Sequence, residues 1–348
     1  MKIISLGMDK NLVNKSSQVS ERVLEYANLV DKYTIISLAD QDGSLNLSQN
    51  AEVFLINQKN KILALWKMKK KIKKVLKSDN YDLITVQDIY FIAYLAIRMA
   101  SRFKIDTEIQ VHGFEKFKGF RKRLVKYVLK RANSIRVVSE RLKKQLIQNF
   151  KVLEDKITVV PVYVKTEIKE KELKSKENDK FIFLTVGRLV PVKNIEIQIK
   201  AIDKLKNKYE NIELWIVGDG LKKYELRDNI KFFGYQEDLS KFYQQADCFL
   251  LTSSYEGWGI VIIEAASYGL PIIMTDVGCA GEFIKDGQNG SVVAIQDQEA
   301  LESKMIELIE NEGLRAKLGN NAKESVKSLL SKEETLNLYK QSWEKAIK

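Results

Sequence analysis

The chain of 348 residues contains few of the residues that cross-link, kink or ligate: two cysteines, three prolines and one histidine. Cys248 and Cys279 have no ligand-like spacing to each other or to the histidine. This arrangement argues against a disulfide framework and favours a reducing compartment. Three prolines are too few for long extended linkers, so we expect packed domains over most of the chain.

Long hydrophobic runs are absent as well. The longest apolar stretch, residues 89–100, contains Arg98 and is shorter than the roughly 20 residues that a membrane-spanning helix needs. Residues 1–7 have one basic residue and a short apolar run, which is too brief for a secretory signal and instead predicts a first β-strand. We therefore expect a cytoplasmic protein that does not cross a membrane.

Charge is distributed unevenly along the chain. Residues 1–165 hold 32 Lys and Arg against 16 Asp and Glu, a balance of +16, so the other 183 residues contribute −4 to the total of +12. The basic residues concentrate in segments 61–77 and 116–131, which both predict amphipathic helices. Such a helix presents either a solvated face or a surface for an anionic partner, membrane lipid before nucleic acid. The second alternative implies a peripheral position at the inner face of the plasma membrane.

Short β-rich runs alternate with longer helical patterns. The predicted strands are residues 2–6, 33–37, 83–86, 108–111, 134–138, 181–186, 212–217, 230–233, 248–251, 271–275 and 291–293. The predicted helices include residues 20–30, 62–77, 90–103 and 121–130. Nearly continuous apolar strands predict parallel sheets covered on both faces. The sequence therefore predicts an α/β protein with two Rossmann-like domains.

The domain boundaries follow from composition. A chain of 348 residues is too long for one ordinary core, and residues 165–180 are charged and poorly periodic, as expected of an exposed connector. We place an N-terminal domain at residues 1–165 and a C-terminal domain at residues 166–331. The last segment, residues 332–348, has apolar residues at helical intervals and is predicted to dock by one face.

A glycine-bearing loop precedes a predicted helix in residues 253–266 of the C-terminal half. Gly257 and Gly259 let a ligand approach the backbone closely. The amides of Ile260 and Val261 lie at the positive end of the helix dipole, where a diphosphate is stabilised. This loop is therefore a candidate anion site.

Two glutamates flank the same loop: Glu256 can face a sugar, and Glu264 can bond the vicinal hydroxyls of a ribose. A glutamate pair alone is uninformative in a chain with 30% charged residues. Residues 181–194 add context, because they combine a strand, a glycine turn and two cations, Arg188 and Lys193. These cations could neutralise a leaving diphosphate as its charge develops. Ordinary surface salt bridges are the alternative for both.

The C-terminal half presents its motifs in this order: Val186-Gly187-Arg188 to Lys193-Asn194, Val217-Gly218-Asp219-Gly220, Ala246-Asp247, Glu256 to Glu264, Gly269-Leu270-Pro271, and Asp286-Gly287-Gln288-Asn289-Gly290. This series resembles the retaining glycosyltransferases of family 4 over nearly that whole half. The resemblance implies the GT-B fold, in which two Rossmann-like domains have parallel sheets facing a central cleft. It also implies a donor site in the C-terminal domain, an acceptor site in the N-terminal one, and a final helix packing back toward the N-terminal domain.

The resemblance implies roles for single residues. Arg188 and Lys193 would contact the donor phosphates, Glu256 the transferred sugar and Glu264 the ribose. His112 would face the transferred sugar, although a lone histidine is more often structural. Further donor contacts would come from Gly7, Gly187, Gly259, Ile260 and Val261.

Two loops depart from the family pattern. The first strand is followed by Gly7-Met8-Asp9-Lys10, where many relatives have a Gly-Gly pair, and Cys279-Ala280 stand where relatives often have Gly and other small residues. Glu282 would mark the family's acidic position. Asp88, after another predicted strand, is open to two roles: lining the acceptor side or capping a helix.

The resemblance implies transfer of a hexose, with retention and without a metal or cofactor, from a nucleoside-diphosphate sugar to a hydroxyl of a lipid-linked or polysaccharide acceptor in cell-envelope glycan synthesis. Two alternatives remain open. A GT-B nucleotide-sugar epimerase would use the same donor without an acceptor, and a basic nucleic-acid-binding protein would not be an enzyme. Because no nucleic-acid motif accompanies the lysine-rich helices, we do not expect nucleic acid as a partner.

Overall fold

A computed structural model describes residues 1–9, 12, 14, 17–113, 119–165, 168–169, 180–220 and 227–347. The chain divides into two compact units. The first comprises Met1–Pro161 and Ser331–Lys348, and the second comprises Val162–Leu330. The expected boundary at residue 165 lies close to this division, whereas most of the expected connector lies outside the described residues.

The first unit is built on an eight-stranded sheet. Its described elements are β1 (Lys2–Gly7), α1 (Gln18–Ala27), β2 (Lys32–Ala39), β3 (Gly43–Asn46), β4 (Ala51–Asn57), α2 (Lys61–Ser78), β5 (Leu83–Val86), α3 (Phe91–Phe103), β6 (Asp106–Val111), α4 (Gly119–Arg131), β7 (Ser134–Val137), α5 (Glu140–Phe150) and β8 (Ile157–Val159). The strand order is β3-β4-β2-β1-β5-β6-β7-β8. The sheet is parallel except where β3 pairs with β4.

The predicted elements of this unit are present with ends shifted by a few residues, but the patterns do not predict β3, β4, α5 or β8. The edge strand β3 is four residues long and mostly exposed, so it lacks the apolar run that identifies the inner strands. By contrast, β1 and β2 are buried along nearly their whole length, because helices cover both faces of a parallel sheet.

The second unit is built on a six-stranded sheet. Its described elements are β9 (Phe181–Val186), α6 (Ile195–Leu205), β10 (Ile212–Val217), β11 (Ile230–Phe232), α7 (Ser240–Gln245), β12 (Cys248–Leu251), α8 (Ile260–Ser267), β13 (Ile272–Thr275), β14 (Ser291–Val293), α9 (Gln298–Glu310) and α10 (Glu312–Val326). The order is β11-β10-β9-β12-β13-β14 and all the pairs are parallel. Consecutive strands therefore run outward from β9 on one side and from β12 on the other, which is the doubly wound order of dinucleotide-binding folds.

The last helix, α11 (Lys332–Ala346), belongs to the first unit. It begins with a capping box, in which Ser331 accepts from the amide of Glu334 while the Glu334 side chain accepts from the amide of Ser331. Trp343 is fully buried in the core of that unit, where its ring lies 5.8 Å from the ring of Tyr33 and 6.0 Å from that of Tyr26. The expected apolar face of this segment thus packs within the first unit.

Both basic segments contain helices. The first corresponds to α2, which buries Met68 and Ile72 and leaves six lysines exposed to solvent. The second corresponds to α4, which buries Leu124 and Val128 against the unit. Residues 116–118 of that segment lie outside the described part of the chain.

Candidate active site

The strand order of the second unit identifies where a ligand can bind. In a doubly wound sheet the crevice opens beyond the carboxyl ends of the two strands between which the order reverses, here β9 and β12. Gly187 and Arg188 directly follow β9, and residues 252–256 directly follow β12. Chain segments that are far apart in sequence therefore meet at this point, and both contain residues expected to bind the donor.

A glycine directly after the neighbouring strand β10 lets that loop approach the turn of Gly187 and Arg188 closely. Gly218 follows β10 with φ 137°, and a Cβ at that position would lie 1.9 Å from the carbonyl oxygen of Gly187. The amide of Leu189 also donates to the carbonyl of Asp219 at 2.8 Å. The turn that presents Arg188 is thus fixed against the neighbouring loop, and only glycine fits at position 218.

Lys193 and Glu256 form an ion pair at the crossover, which here means the point where the strand order reverses between β9 and β12. The Lys193 ammonium lies 2.5 Å from Oε1 of Glu256, and both side chains are largely buried, at 20% and 14% exposure. Ser253 donates its hydroxyl to the same Oε1 at 2.6 Å. The pair is held by the backbone, since the amide of Ser254 donates to the carbonyl of Val192 at 2.8 Å. Its Coulomb attraction is less screened than that of a surface pair.

Arg188 differs from Lys193 in having no ion-pair partner within the described ranges, and its side chain is exposed. A guanidinium presents five donors in a fixed plane that suits bidentate binding of phosphate. Arg188 is therefore available to an anionic ligand at the crossover.

Helix α8 begins directly after the loop of Glu256. Its N-cap is Gly259, whose φ of 98° lies in the left-handed region that favours glycine. The first-turn residues Ile260 and Val261 are not fully buried. Their amides are among those that an α-helix leaves without intrahelical partners. The loop is braced from the other side, because the amide of Cys279 donates to the carbonyl of Trp258 at 2.9 Å.

Glu264 lies on α8, and one of its oxygens is occupied. The hydroxyl of Tyr243 donates to Oε2 of Glu264 at 2.7 Å. Burial raises the pKa of Tyr243 well above its ordinary value of 10.0, and the neighbouring Glu264 carboxylate raises it further. Tyr243 also stacks on Tyr268 at 5.3 Å between ring centroids. The carboxylate is therefore held in one orientation, with Oε1 remaining for another donor.

In the first unit, Gly7 and Asp88 flank the reversal between β1 and β5. A Cβ at Gly7 would approach the side chain of Gln87 to 3.2 Å, so the backbone here is close to the next loop. Asp88 accepts from the amides of Tyr90 and Ile92, both at 3.0 Å, and thereby caps the first turn of α3. Burial raises the pKa of Asp88. Of its two expected roles, these bonds match helix capping, although the N-cap residue of α3 is Tyr90.

His112 follows β6 and is exposed to solvent, yet the protein around it desolvates the imidazolium. This desolvation, assisted by the positive charges of Arg136 and Arg22, lowers the pKa of His112 from 6.5 to about 4. Its Nε2 lies 3.2 Å from Oε1 of Gln110. The ring is therefore neutral at pH 7 and tied to a neighbouring amide.

Two family models match consecutive parts of this chain: Glycosyltransferase Family 4 over residues 31–168, and Glycosyl transferases group 1 over residues 165–325. The chain belongs to the family 4 glycosyltransferases. Among its relatives is the N-acetyl-alpha-D-glucosaminyl L-malate synthase of Bacillus anthracis, which is 27% identical over 77% of this chain and 76% of its own length. Another is the capsular polysaccharide biosynthesis glycosyltransferase CapM of Staphylococcus aureus, 28% identical over 62% of this chain and 64% of its own length.

The fold of this glycosyltransferase is also that of a solved structure, HepE of Anabaena in complex with UDP. The two share 18% identity and a TM-score of 0.73, covering 98% of each chain. At that identity the likeness shows the fold alone, and it confirms the predicted GT-B architecture of two parallel-sheet units.

Two absences concern only the described part of this glycosyltransferase. No helix there is long and apolar enough to cross a bilayer. No three His, Cys, Asp or Glu side chains there are grouped as metal ligands would be. Both cysteines, Cys248 and Cys279, are buried and neither forms a disulfide.

The sequence reasoning missed several residues of this site. Ser253 and Tyr243 each donate to an expected glutamate, and neither has a sequence signal beyond lying near a motif. Gln110 could have been found, because strand side chains alternate and residue 110 therefore shares the face of His112.

Proposed function

We propose that this glycosyltransferase transfers a hexose from a nucleoside-diphosphate sugar, with retention of anomeric configuration and without a metal or cofactor, to a hydroxyl of a lipid-linked or polysaccharide acceptor in cell-envelope glycan synthesis. The proposal rests chiefly on the charges at the crossover of the second sheet. There Arg188, which has no ion-pair partner among the described residues, and the Lys193–Glu256 pair lie at the point where a doubly wound sheet binds its ligand.

The proposed chemistry is a front-face displacement. The bond between the anomeric carbon and the donor phosphate oxygen breaks, and its electron pair leaves with the diphosphate. The acceptor oxygen forms the new bond on the same face, while its proton passes to the departing phosphate oxygen. Arg188, Lys193 and the first amides of α8 stabilise the charge that develops on this oxygen. No protein nucleophile is needed.

The ion pair suggests how the donor organises the site. Without ligand, Lys193 and Glu256 neutralise each other at 2.5 Å. A donor diphosphate gives Lys193 a second anion to bind, so Lys193 holds Glu256 less strongly. Glu256 can then turn one carboxylate oxygen to the sugar hydroxyls. Glu264, already held by Tyr243, keeps its other oxygen for a ribose hydroxyl. We therefore assign sugar selection to Glu256 and nucleotide affinity to Glu264.

The acceptor class is inferred from the relatives and from the basic helices of the first unit. The name of CapM refers to capsular polysaccharide, and that of the malate synthase refers to a small hydroxy acid. An extended basic surface suits an acceptor presented at an anionic membrane better than a small free one. We therefore favour a lipid-linked or polymeric acceptor.

Product analysis tests the proposal. The full chain is incubated with UDP-, GDP- and ADP-sugars, each with a lipid-linked saccharide, a soluble oligosaccharide or malate as acceptor. Nucleoside diphosphate and an α-glycoside of the lipid-linked or saccharide acceptor are expected from an α-configured donor. An epimerised sugar formed without acceptor would show the epimerase instead, and glycosylation of malate alone would contradict the acceptor class.

We further propose that the first unit docks on anionic membrane at the cytoplasmic face. The amino end of α2 exposes Ile62, at 83%, together with Leu63 and Trp66, and Lys70 lies 3.8 Å from the Trp66 ring centroid. Phe120 on α4 is 68% exposed beside several basic residues. Apolar side chains among lysines are typical of helices that lie in the lipid interface.

Vesicle co-sedimentation tests this docking. Wild type should bind vesicles of phosphatidylglycerol and not of phosphatidylcholine, and binding should weaken with salt. Ile62→Ser combined with Trp66→Ser should reduce binding at least tenfold, whereas Tyr235→Ser, at an exposed aromatic in the second unit, should not. Equal binding to duplex DNA, or no loss in the double variant, would contradict the membrane proposal.

A further inference from the structure

A chain of polar side chains crosses the core of the first unit and ends at His112. Its centre is Glu108 on β6, which is fully buried. Oε1 of Glu108 accepts from the hydroxyl of Ser342 on α11. Oε2 accepts from the hydroxyl of Thr85 at 2.6 Å and lies 3.5 Å from the guanidinium of Arg136. Each of these neighbours is a donor, as a buried carboxylate requires.

The neighbouring charge on Arg136 is permanent. Its side chain is 4% exposed, and the ring of Tyr339 lies 3.8 Å from the guanidinium carbon. Although burial opposes it, attraction to Glu108 and three nearby tyrosines raises the pKa of Arg136. With this cation beside it, Glu108 is an anion that only accepts hydrogen bonds.

The protons that each group carries determine which group donates each hydrogen bond between Glu108 and His112. Thr85 has one hydroxyl proton and donates it to Glu108, so its oxygen can only accept from Gln110, at 2.7 Å. Gln110 must therefore turn its NH₂ group to Thr85 and its carbonyl oxygen to His112. Because that oxygen has no proton to give, the proton at the 3.2 Å contact must belong to Nε2 of the imidazole.

We propose that this series of hydrogen bonds from Glu108 holds His112 as the Nε2–H tautomer, with Nδ1 unprotonated. Gln110 and Thr85 are the positioning residues that select this tautomer. A ligand group that meets Nδ1 must then donate a proton. A sugar hydroxyl satisfies this requirement and a carboxylate or carbonyl oxygen does not. The tautomer follows from the protein alone, whereas the identity of the ligand group as a sugar hydroxyl rests on the proposed function.

The low pKa of His112 supports this inference, because only a neutral imidazole has tautomers to select. Ser342 also connects the terminal helix α11 to this series of polar side chains, since its hydroxyl donates a hydrogen bond to Glu108.

Nitrogen NMR of the imidazole tests the proposal directly. The chain has one histidine, so ¹⁵N-histidine labelling and a long-range ¹H–¹⁵N correlation spectrum report on His112 without assignment. The ligand-free full chain at pH 7 should show a pyrrole-type shift for Nε2 and a pyridine-type shift for Nδ1, with the wide separation of a single tautomer. A protonated Nδ1 in the wild type would overturn the proposal.

Variants are required because an imidazole free in water already favours Nε2–H. Thr85→Val removes the hydroxyl and lets Gln110 turn either way, so the separation between the two nitrogen shifts should shrink to that of an averaging ring. Gln110→Ala should do the same. Thr85→Ser keeps the hydroxyl proton and should restore the wild-type separation.

Thr158→Val is the matched control, because the hydroxyl of Thr158 on the same sheet is buried without a hydrogen-bond partner in the described structure. It should leave both shifts unchanged. Equal separations in the wild type, Thr85→Val and Gln110→Ala would overturn the proposal, provided that backbone spectra show each variant folded. Because no substrate is present, this result is independent of whether hexose transfer is later demonstrated.

Discussion

Truncation of Trp343 measures how strongly the terminal helix contributes to the first unit. The indole is fully buried, and the rings of Tyr33, Tyr26 and Tyr339 surround it with centroids 5.8, 6.0 and 6.1 Å away. Trp343→Ala removes the whole ring from this aromatic cluster. Substitutions of that size in a core cost about 3–5 kcal/mol, from lost transfer free energy and from the cavity that remains.

A second substitution, Trp343→Phe, shows how much of this cost comes from the lost ring contact. The indole Nε1 is buried without a hydrogen-bond partner in the described part of the chain, so neither variant breaks a hydrogen bond there. Trp343→Phe keeps most of the apolar contact and removes the unpaired donor. We therefore expect it to cost at most about 1.5 kcal/mol. Gln341→Ala, at an exposed position of the same helix, should change stability by less than about 0.5 kcal/mol.

Hydrogen exchange followed by mass spectrometry is the assay, because it reports on the first unit separately from the second. Peptides from β2, β6 and α11 should lose protection in Trp343→Ala, while peptides from β9 and β12 should not. Urea unfolding followed by circular dichroism gives the magnitude. A loss below about 1 kcal/mol in Trp343→Ala, or equal losses in Trp343→Ala and Gln341→Ala, would refute the reasoning.

Three further predictions concern the site residues. Lys193→Ala should lower kcat about 10²- to 10³-fold, as expected when a cation facing developing charge is removed, and Lys204→Ala, at a side chain 69% exposed, should not; steady-state turnover measures both. The pKa of His112 is lowered from 6.5 to about 4 in the folded protein, so between these pH values the unfolded chain binds a proton at His112 that the folded chain does not bind. The native state should therefore lose stability as pH falls from about 6.5 to 4. His112→Gln should flatten that part of a urea-midpoint profile, and an unchanged slope would contradict it. Tyr243→Phe removes the donor 2.7 Å from Glu264 and should weaken nucleoside-diphosphate affinity in calorimetry by about 0.5–1.5 kcal/mol. A lower kcat with unchanged affinity would contradict the role assigned to this pair.

The inner strands could be predicted because a parallel sheet buries both faces, which leaves a continuous apolar run in the sequence. Strands β1, β9 and β12 all show it. The edge strand β3 is short and mostly exposed, so it lacks this apolar run, although it pairs with β4 across a connection of only residues 47–50.

The candidate site was predictable where glycines and charges cluster, and hidden where its residues meet only in space. Arg188 and Glu256 lie in motifs, whereas the 2.5 Å contact between Lys193 and Glu256 joins positions separated by 63 residues. An intermediate case is β6 and the residue that follows it, because Glu108 and Gln110 on the strand and His112 after it alternate with apolar residues. That alternation places all three polar side chains on one face, which is a period-2 signal visible in the sequence.

Donor turnover by purified full-length protein tests the central claim most directly. Release of nucleoside diphosphate from the preferred nucleotide sugar is measured with acceptor present, for the wild type, Arg188→Ala, Glu256→Ala and Lys200→Ala, the last an exposed cation in the same unit. The turnover rates of Arg188→Ala and Glu256→Ala should be about 10²-fold or more below that of the wild type, while the rate of Lys200→Ala should equal it. Wild-type rates in both Arg188→Ala and Glu256→Ala would contradict the account.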